Sequence, residues 1–390
     1  MKTNLIQAPG TCHMDVRASE RASYIEYHVT ATVDGSMRTG MAATSIFNQV
    51  APALIRHGIM PIQEKLYGRR SVYADVMEKR DEAYLQWGVD RTMPVTWIEG
   101  VPLGECDFVA VQIWGIAPKS EHVSVETVEN AIIGRARRVR GQGFEMLHLP
   151  CVRGTTADGK LAAGHEDQAA HMFTNIGTML KTHGYKYTDV VRTWIYCSRL
   201  LEWYGDLNRV RTGIYRPAGF GNPTGHAFPA STGIQGRTGD EECLVDVLAV
   251  KTDDPTSLRV TPILRSPRQD SSFNYGSAFS RGVSLEVEGK KTIHISGTAS
   301  INTAGDSTYL GDAEHQSVET LLSIAAILEE QGGGLQNITS ATLFCKTKEA
   351  WEAWERVSRL LGVPNIPKVC VLADVCRDNL LVEMEAVAVI

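Results

Sequence analysis

The segment LLVEMEAVAVI, residues 380–390, is apolar enough to be a buried strand, yet it carries two acids. Strand alternation puts Leu381, Glu383 and Glu385 on one face and Val382, Met384 and Ala386 on the other. A carboxylate in such a strand is desolvated, so its pKa rises unless a cation sits beside it. A carboxylic acid that keeps its proton near neutral pH can serve as a general acid. The competing reading of Glu383 is a salt bridge across an interface, or an exposed edge face. Other chemistries find no support: there is no HExxH, P-loop or GxSxG. The glycine-rich GFGNPTG (219–225) follows a helical stretch instead of a strand, which makes it a loop and not a phosphate cradle. His165 and His171 are six apart, a poor spacing for two metal ligands on one helix face. Neither a metal nor a cofactor is expected.

The elements that must position Glu383 recur along the chain. In the last third, TIHISGTASI (292–301) reads as a strand and GDAEHQSVETLLSIAAILEEQGGG (311–334) as a helix. Asp312 is a fitting N-cap, and Val318, Leu321, Leu322, Ala325 and Leu328 form a buried stripe. A β-like ITSATLFCKT, a second helix from Lys348 to Leu361 with Trp351 and Trp354, and the Glu383 strand complete a β-α-β-α-β order. The middle third repeats it with EMLHLPCVRG, a helix whose Met172, Ile176, Met179 and Leu180 share a face, TDVVRTWIYCS, LEWYGDLNRVRTGIY and CLVDVLAV. Matching Asp246 to Glu383 gives an offset of 137. The first third is a fainter copy: SYIEYHVTATV, AATSIFNQVAPALIRHG, SVYADVMEKRDEAYLQWG and DFVAVQIWGI, with Ala110 at the place of Asp246 and an offset of 136. Pro52 weakens its first helix.

A sheet with helices on one side must cover its other face. The expectation is an α+β fold of three tandem units, 1–120 (degenerate), 121–265 and 266–390. They would form an intrachain pseudo-trimer with a central barrel-like core, outer helices and ligand-binding clefts between units. The polar stretch 266–282, with Arg268, Tyr275 and Arg281, reads as a solvated linker.

Of 390 residues, 43% are hydrophobic and 22% charged, with a net charge of −6. No apolar run approaches the roughly 20 residues of a membrane helix, and the first twenty residues hold no leader-like apolar block, so a cytoplasmic protein is expected. Without a long basic run, no nucleic-acid partner is expected. The eight cysteines lack a CxxC pair and read as reduced thiols.

The unit, with GD opening a helix and a final VE-hydrophobic-E strand, resembles the Rid (YjgF-like) superfamily, whose members are homotrimers with sites between subunits. RTWIY (192–196), Tyr204, Asp206 and Arg211 on one helix, FPASTGIQG (228–236), ISGTASI and DVCRDNLLVEMEAV further resemble the chorismatase branch, which removes pyruvate from chorismate. That resemblance makes Glu383 the catalytic acid/base. It assigns carboxylate-holding roles to Arg192, Arg211 and Arg377, and substrate contacts to Tyr204 and Gly297. It also places Cys376 where the branch's subtypes differ, in the pattern of the 3-hydroxybenzoate-forming type. Arg suits such a dianion because its fork pairs bidentately with carboxylates.

The implied function is cleavage of the enolpyruvyl ether of chorismate or a related small carboxylate, releasing pyruvate and a hydroxybenzoate or dihydroxy acid. One alternative is the Rid-type enamine/imine deaminase, weakened because Lys368 stands where that reaction uses an Arg. Another is a non-catalytic metabolite-binding scaffold. The expected partner is a small carboxylated molecule, with no membrane partner, and the chain is expected as a monomeric pseudo-trimer or a further homo-oligomer.

Overall fold

The computed structural model describes residues 2–7, 12–33, 35–221, 225–236 and 239–390, the side chains of 2–7 and of Tyr275 excepted. Three six-stranded sheets account for every labelled strand. The first holds β1 (Lys2–Gln7), β2 (Cys12–Glu20), β3 (Tyr24–Val33), β4 (Met60–Gly68), β5 (Thr96–Glu99) and β6 (Phe108–Pro118). The second holds β7 (Ser124–Asn130), β8 (Gly134–Gly141), β9 (Phe144–Arg153), β10 (Val190–Cys197), β11 (Ala230–Gln235) and β12 (Cys243–Thr252). The third holds β13 (Arg259–Ile263), β14 (Gly282–Val287), β15 (Lys290–Ala299), β16 (Ile338–Cys345), β17 (Lys368–Leu372) and β18 (Val382–Val389). The spatial order is the same in each: β1-β2-β3-β6-β4-β5, β7-β8-β9-β12-β10-β11 and β13-β14-β15-β18-β16-β17. Only the last pair of each sheet is parallel. The fold is thus three tandem units of one α+β topology, and the first is as complete as the others.

Each sheet carries two helices on one face: α1 (Thr39–His57) and α2 (Tyr73–Trp87), α3 (Gly164–Thr182) and α4 (Leu200–Tyr215), α5 (Ala313–Glu330) and α6 (Lys348–Leu360). Three separate cores form between sheet and helices. A fourth core is shared, drawing Tyr67 and Trp114 from the first unit, Trp194, Tyr196 and Leu248 from the second, and Phe344, Val369 and Val371 from the third. The three sheets surround that shared core without closing into one continuous ladder.

Local details bear on the sequence reading. Asp312 does cap α5, accepting from the His315 N–H at 3.1 Å. The buried face of α5 is Leu321, Ile324, Ile327 and Leu328, with Ser317 and Thr320, while Leu322 is 41% exposed. Small hydroxyl residues, not the outermost leucine, let this helix approach the sheet. Pro52 lies inside α1 without ending it, because Val50, Ala51, Ala53 and Leu54 around it are buried against the sheet. Strand β4, MPIQEKLYG, has no place in the sequence-based order. Its Gln63, Glu64 and Lys65 are buried because each has a polar partner. The stretch 266–282 is no solvated linker: Ser266, Gln269, Ser272 and Arg281 are buried. Gln269 donates to the Ala299 carbonyl, Arg281 to that of Asp270, and Arg268 pairs with Glu319. Residues 222–224 of the glycine-rich segment and the Tyr275 side chain lie outside the described residues.

The strand registers correct the repeat alignment. Trp114, Leu248 and Val387 each follow the same irregularity in the neighbouring strand, opposite Gln63, Arg192 and Ser340. Gln112, Asp246 and Glu385 are therefore equivalent, and Glu383 corresponds to Leu244 and Ala110. The alignment of Asp246 with Glu383 was two residues off. A slip of two keeps every side chain on its face, so alternation alone could not reveal it.

Candidate active site

The equivalent residues tie the units together in a cycle. Gln112 of the first unit donates to the Ala341 carbonyl of the third at 2.8 Å. Asp246 of the second accepts from Thr96 of the first at 2.7 Å. Glu385 of the third accepts from Arg192 of the second at 2.7 Å. The same ladders place His28, His148 and His294 at one equivalent position, all buried. Beside His28 and His294 a small cavity of about 40 Å³ is also lined by Lys65, Trp114, Arg192, Trp194 and Glu385. Lys65 reaches in from β4 to within 3.6 Å of Glu385 and lies 4.4 Å above the Trp194 ring.

Beside this axis, where the second and third units meet, the Glu383 site is assembled. Strand β15 is irregular between Ile295 and Thr298. The irregularity turns the Gly297 N–H toward the second unit, where it donates to Thr232 Oγ1 at 3.0 Å. Thr232 Oγ1 also accepts from Arg192 Nη2 at 2.6 Å. A Cβ on Gly297 would overlap the Glu383 carboxylate and lie 3.2 Å from Thr232 Cγ2, so only glycine leaves room for the acid. On the second unit's side, Ser231 N–H donates to Ser296 Oγ at 2.9 Å. Arg211 reaches Ser231 Oγ at 3.5 Å and is anchored on Asn208 at 2.5 Å.

Glu383 is 3% exposed. Burial, and next the negative charge of Glu385, push its pKa up to about 8, against a hydrogen bond from Cys376 and the charge of Arg192. The carboxyl therefore holds its proton at neutral pH. Burial, then the neighbouring Glu383 charge, push the Cys376 thiol up. Burial, then Cys376, do the same for the Tyr204 phenol, with Arg211 opposing. The site thus offers a protonated carboxylic acid, a protonated phenol and a neutral thiol beside two guanidinium groups. Arg192 Nε and Nη1 and Arg211 Nε are buried without a hydrogen-bond partner among the described residues, so donors remain available to an incoming anion.

The fold therefore brings Glu383, Cys376, Tyr204, Arg211, Arg192 and Gly297 to one interface. Arg192 has a structural tie as well, since one of its amino groups is held by Glu385. Arg377 turns to the loop before α5, donating to the Gly305 carbonyl at 2.7 Å and to Ser307. Sequence reasoning missed Lys65, Ser231 and Thr232. Lys65 lies in the overlooked strand; the two hydroxyls sit in the quoted FPASTGIQG, where no role was assigned to them. His165, Glu166 and Asp206 also approach one another, but Arg209 pairs with both acids, so this is a surface ion-pair cluster. All eight cysteines are unpaired thiols, and no helix among the described residues is long and apolar enough to cross a membrane.

Residues 277–390 match the model of the family described as Endoribonuclease L-PSP. The chain superposes on a crystal structure of a chorismatase with a TM-score of 0.59, covering 84% of this chain and 92% of that one at 19% identity. A putative endoribonuclease from Thermotoga maritima matches at 22% identity over 33% of this chain and 98% of its own, with a TM-score of 0.28. The YjgF gene product of E. coli matches at 20% identity over 33% and 98%, also at 0.28. The family model's match lies within the third unit, and there the resemblance to the Rid superfamily holds in sequence. The likeness to chorismatase is one of fold, extending over all three units.

Proposed function

We propose that the cleft between the second and third units cleaves the enolpyruvyl ether of chorismate or a closely related dianion. The observation that carries this reading is Glu383, a buried acid raised to about 8 beside Arg192, whose guanidinium has unused donors. An enol ether is opened by protonating its terminal methylene carbon. Glu383 supplies that proton, and the positive charge that develops on the ether-bearing carbon is stabilised by the resulting carboxylate. Arg192 and Arg211 hold the substrate carboxylates, and Tyr204 donates to an oxygen of the bound ring. The ether C–O bond then breaks in one of two ways. Water addition to the cation gives a hemiketal that collapses to pyruvate and a dihydroxy acid. Aromatisation of the ring gives pyruvate and a hydroxybenzoate with no net water consumed. Cys376, against Glu383, stands where a side chain can bias that choice.

Incubation with chorismate, following pyruvate, tests the reading, and a freshly generated 2-imino acid, following ammonia, tests the deaminase alternative. Pyruvate release that disappears in Glu383→Gln supports the proposal. Ammonia release without pyruvate overturns it, and saturable binding with neither product favours a metabolite-binding role. The deaminase reading draws little from the geometry, since Lys368 is paired with Glu355 at 3.3 Å and faces a cleft whose counterpart of Glu383 is Ala110.

A further inference from the structure

Gln112, Asp246 and Glu385 occupy equivalent places around the axis, and each has a register partner on the neighbouring strand. Lys65 stands opposite Gln112, Trp194 opposite Asp246 and Thr342 opposite Glu385. Of these three partners, the first unit's alone bears a charge. That unit has Ala110 in the place of Glu383, yet it sends an ammonium group into the centre of the molecule.

Lys65 is 4% exposed. Its Nζ lies 3.6 Å from Glu385 Oε1, while Arg192 Nη2 donates to Glu385 Oε2 at 2.7 Å. The Trp194 ring supports both cations, with Lys65 Nζ 4.4 Å and Arg192 Cζ 4.9 Å from its centroid. A buried ammonium is costly unless carboxylates face it. Burial draws the Lys65 pKa down, and the charges of Glu385 and then Asp246 oppose this. Asp246 already accepts from Thr96, Gln63 and the Cys151 N–H. Glu385 is held from two sides, by a cation of the second unit and by one of the first.

Glu385 is in turn the charge that, after burial, keeps Glu383 protonated. The other groups acting on Glu383 are Cys376 ahead of β18 and Arg192 on β10, with Tyr204 facing it from α4. Glu385 also faces Tyr67 on β4 and Tyr196 on β10, whose phenols burial raises and keeps neutral. Burial, then the Arg192 charge, lower His294 to about 3, and burial lowers His28, so neither imidazole adds charge near neutral pH.

We propose that Lys65 is a positioning residue of the Glu383 site: from the first unit it holds the Glu385 carboxylate in place against Arg192, and so sets how readily Glu383 releases its proton. Two adjacent carboxyls titrate as a pair, and removing a cation beside them raises both macroscopic pKa values, whichever carboxyl keeps the proton. The consequence for turnover rests on the reading of Glu383 as the proton donor; the effect on its proton does not.

The full-length protein is labelled with glutamate carrying 13C in the side-chain carboxyl and titrated by NMR without substrate, the Glu383 signal being assigned by its loss in Glu383→Gln. In Lys65→Met, which keeps an unbranched chain against Trp194 without the charge, the Glu383 titration should move up by at least about half a pH unit. Lys65→Gln, a second uncharged variant, should do the same. Lys65→Arg keeps the charge, with the cavity of about 40 Å³ beside it to take the larger head, and should titrate like the wild type. The alkaline limb of kcat/KM for pyruvate release should follow the same order. A titration unmoved or lowered in the uncharged variants overturns the proposal, as does an upward shift of equal size in Lys65→Arg, which would make packing the cause. The expected shifts without any pyruvate release support the proposal and count against the chorismate reading. Melting curves verify that each variant is folded.

Discussion

Glu383 is governed by neighbours that act on its proton in opposite directions. Burial and Glu385 keep it protonated, while Arg192 and the Cys376 thiol favour the anion. If the protonated form is the acid, kcat/KM for pyruvate release should fall as pH rises through about 8, a limb visible in a pH–rate profile. Glu383→Gln should lower kcat by about 10²–10⁴-fold with the fold intact. The same shift affects stability. Because the folded pKa lies above the unfolded value of 4.5, the acid's contribution is fully present below that pH and is lost as pH rises through about 8. Thermal melts should show the wild type losing ground to Glu383→Gln across this window. Glu385→Gln removes a charge that raises Glu383, so its alkaline limb should move to lower pH. An unmoved limb would show that Glu385 has no part in tuning the acid.

At the scale of elements, the irregularity in β15 does what a regular strand could not. It presents a backbone N–H to Thr232 of the second unit and leaves a space the size of a carboxylate above Gly297. Gly297→Ala fills that space, and a displacement of the acid by about an ångström is expected to cost on the order of 10²-fold in kcat. Stability should change far less than activity, a split that kinetics and melting measurements on one preparation would reveal. How legible these elements were depended on their polarity. The helix of Met172, Ile176, Met179 and Leu180 carries its buried face openly in its periodicity. Strand β4 does not, because Gln63, Glu64 and Lys65 look like solvent-facing residues until their partners Asp246, Arg80 and Glu385 are known.

At the scale of the molecule, the units are clamped by buried polar contacts around the shared core. Arg21 and Glu26 of the first unit pair at 2.6 Å, while Arg21 donates to the Val287 and Lys290 carbonyls and Thr292 donates to Glu26 at 2.7 Å. Burial alone would raise the Glu26 pKa, but the charges of Arg21 and His28 and the hydrogen bonds from Thr292 and Arg21 hold it down to about 2. Glu26→Gln leaves Arg21 charged and less well paired, and urea titration should show a loss of about 3–5 kcal/mol near neutral pH. The pKa is depressed in the folded state, so the stabilisation exists above the unfolded value of 4.5 and is lost as pH falls through about 2. The deficit of the variant should therefore shrink in acid. A deficit independent of pH would mean that packing, not the ion pair, joins the first unit to the third.

The sequence by itself determined that one module is used three times, that Asp312 begins a helix, and that Glu383 lies on the polar side of an otherwise apolar strand. These are consequences of periodicity and local capping, which any stretch of chain carries within itself. The tertiary structure alone decided that Glu383 matches Ala110 and Leu244 instead of Asp246, because a two-residue slip preserves the face and only the ladder partners set the register. It alone tied Arg192 to Glu385 and placed Thr232 and Lys65 beside residues of the third unit. Such contacts join positions far apart in the chain, and the cost of burying their charges is met only when all three units are packed together.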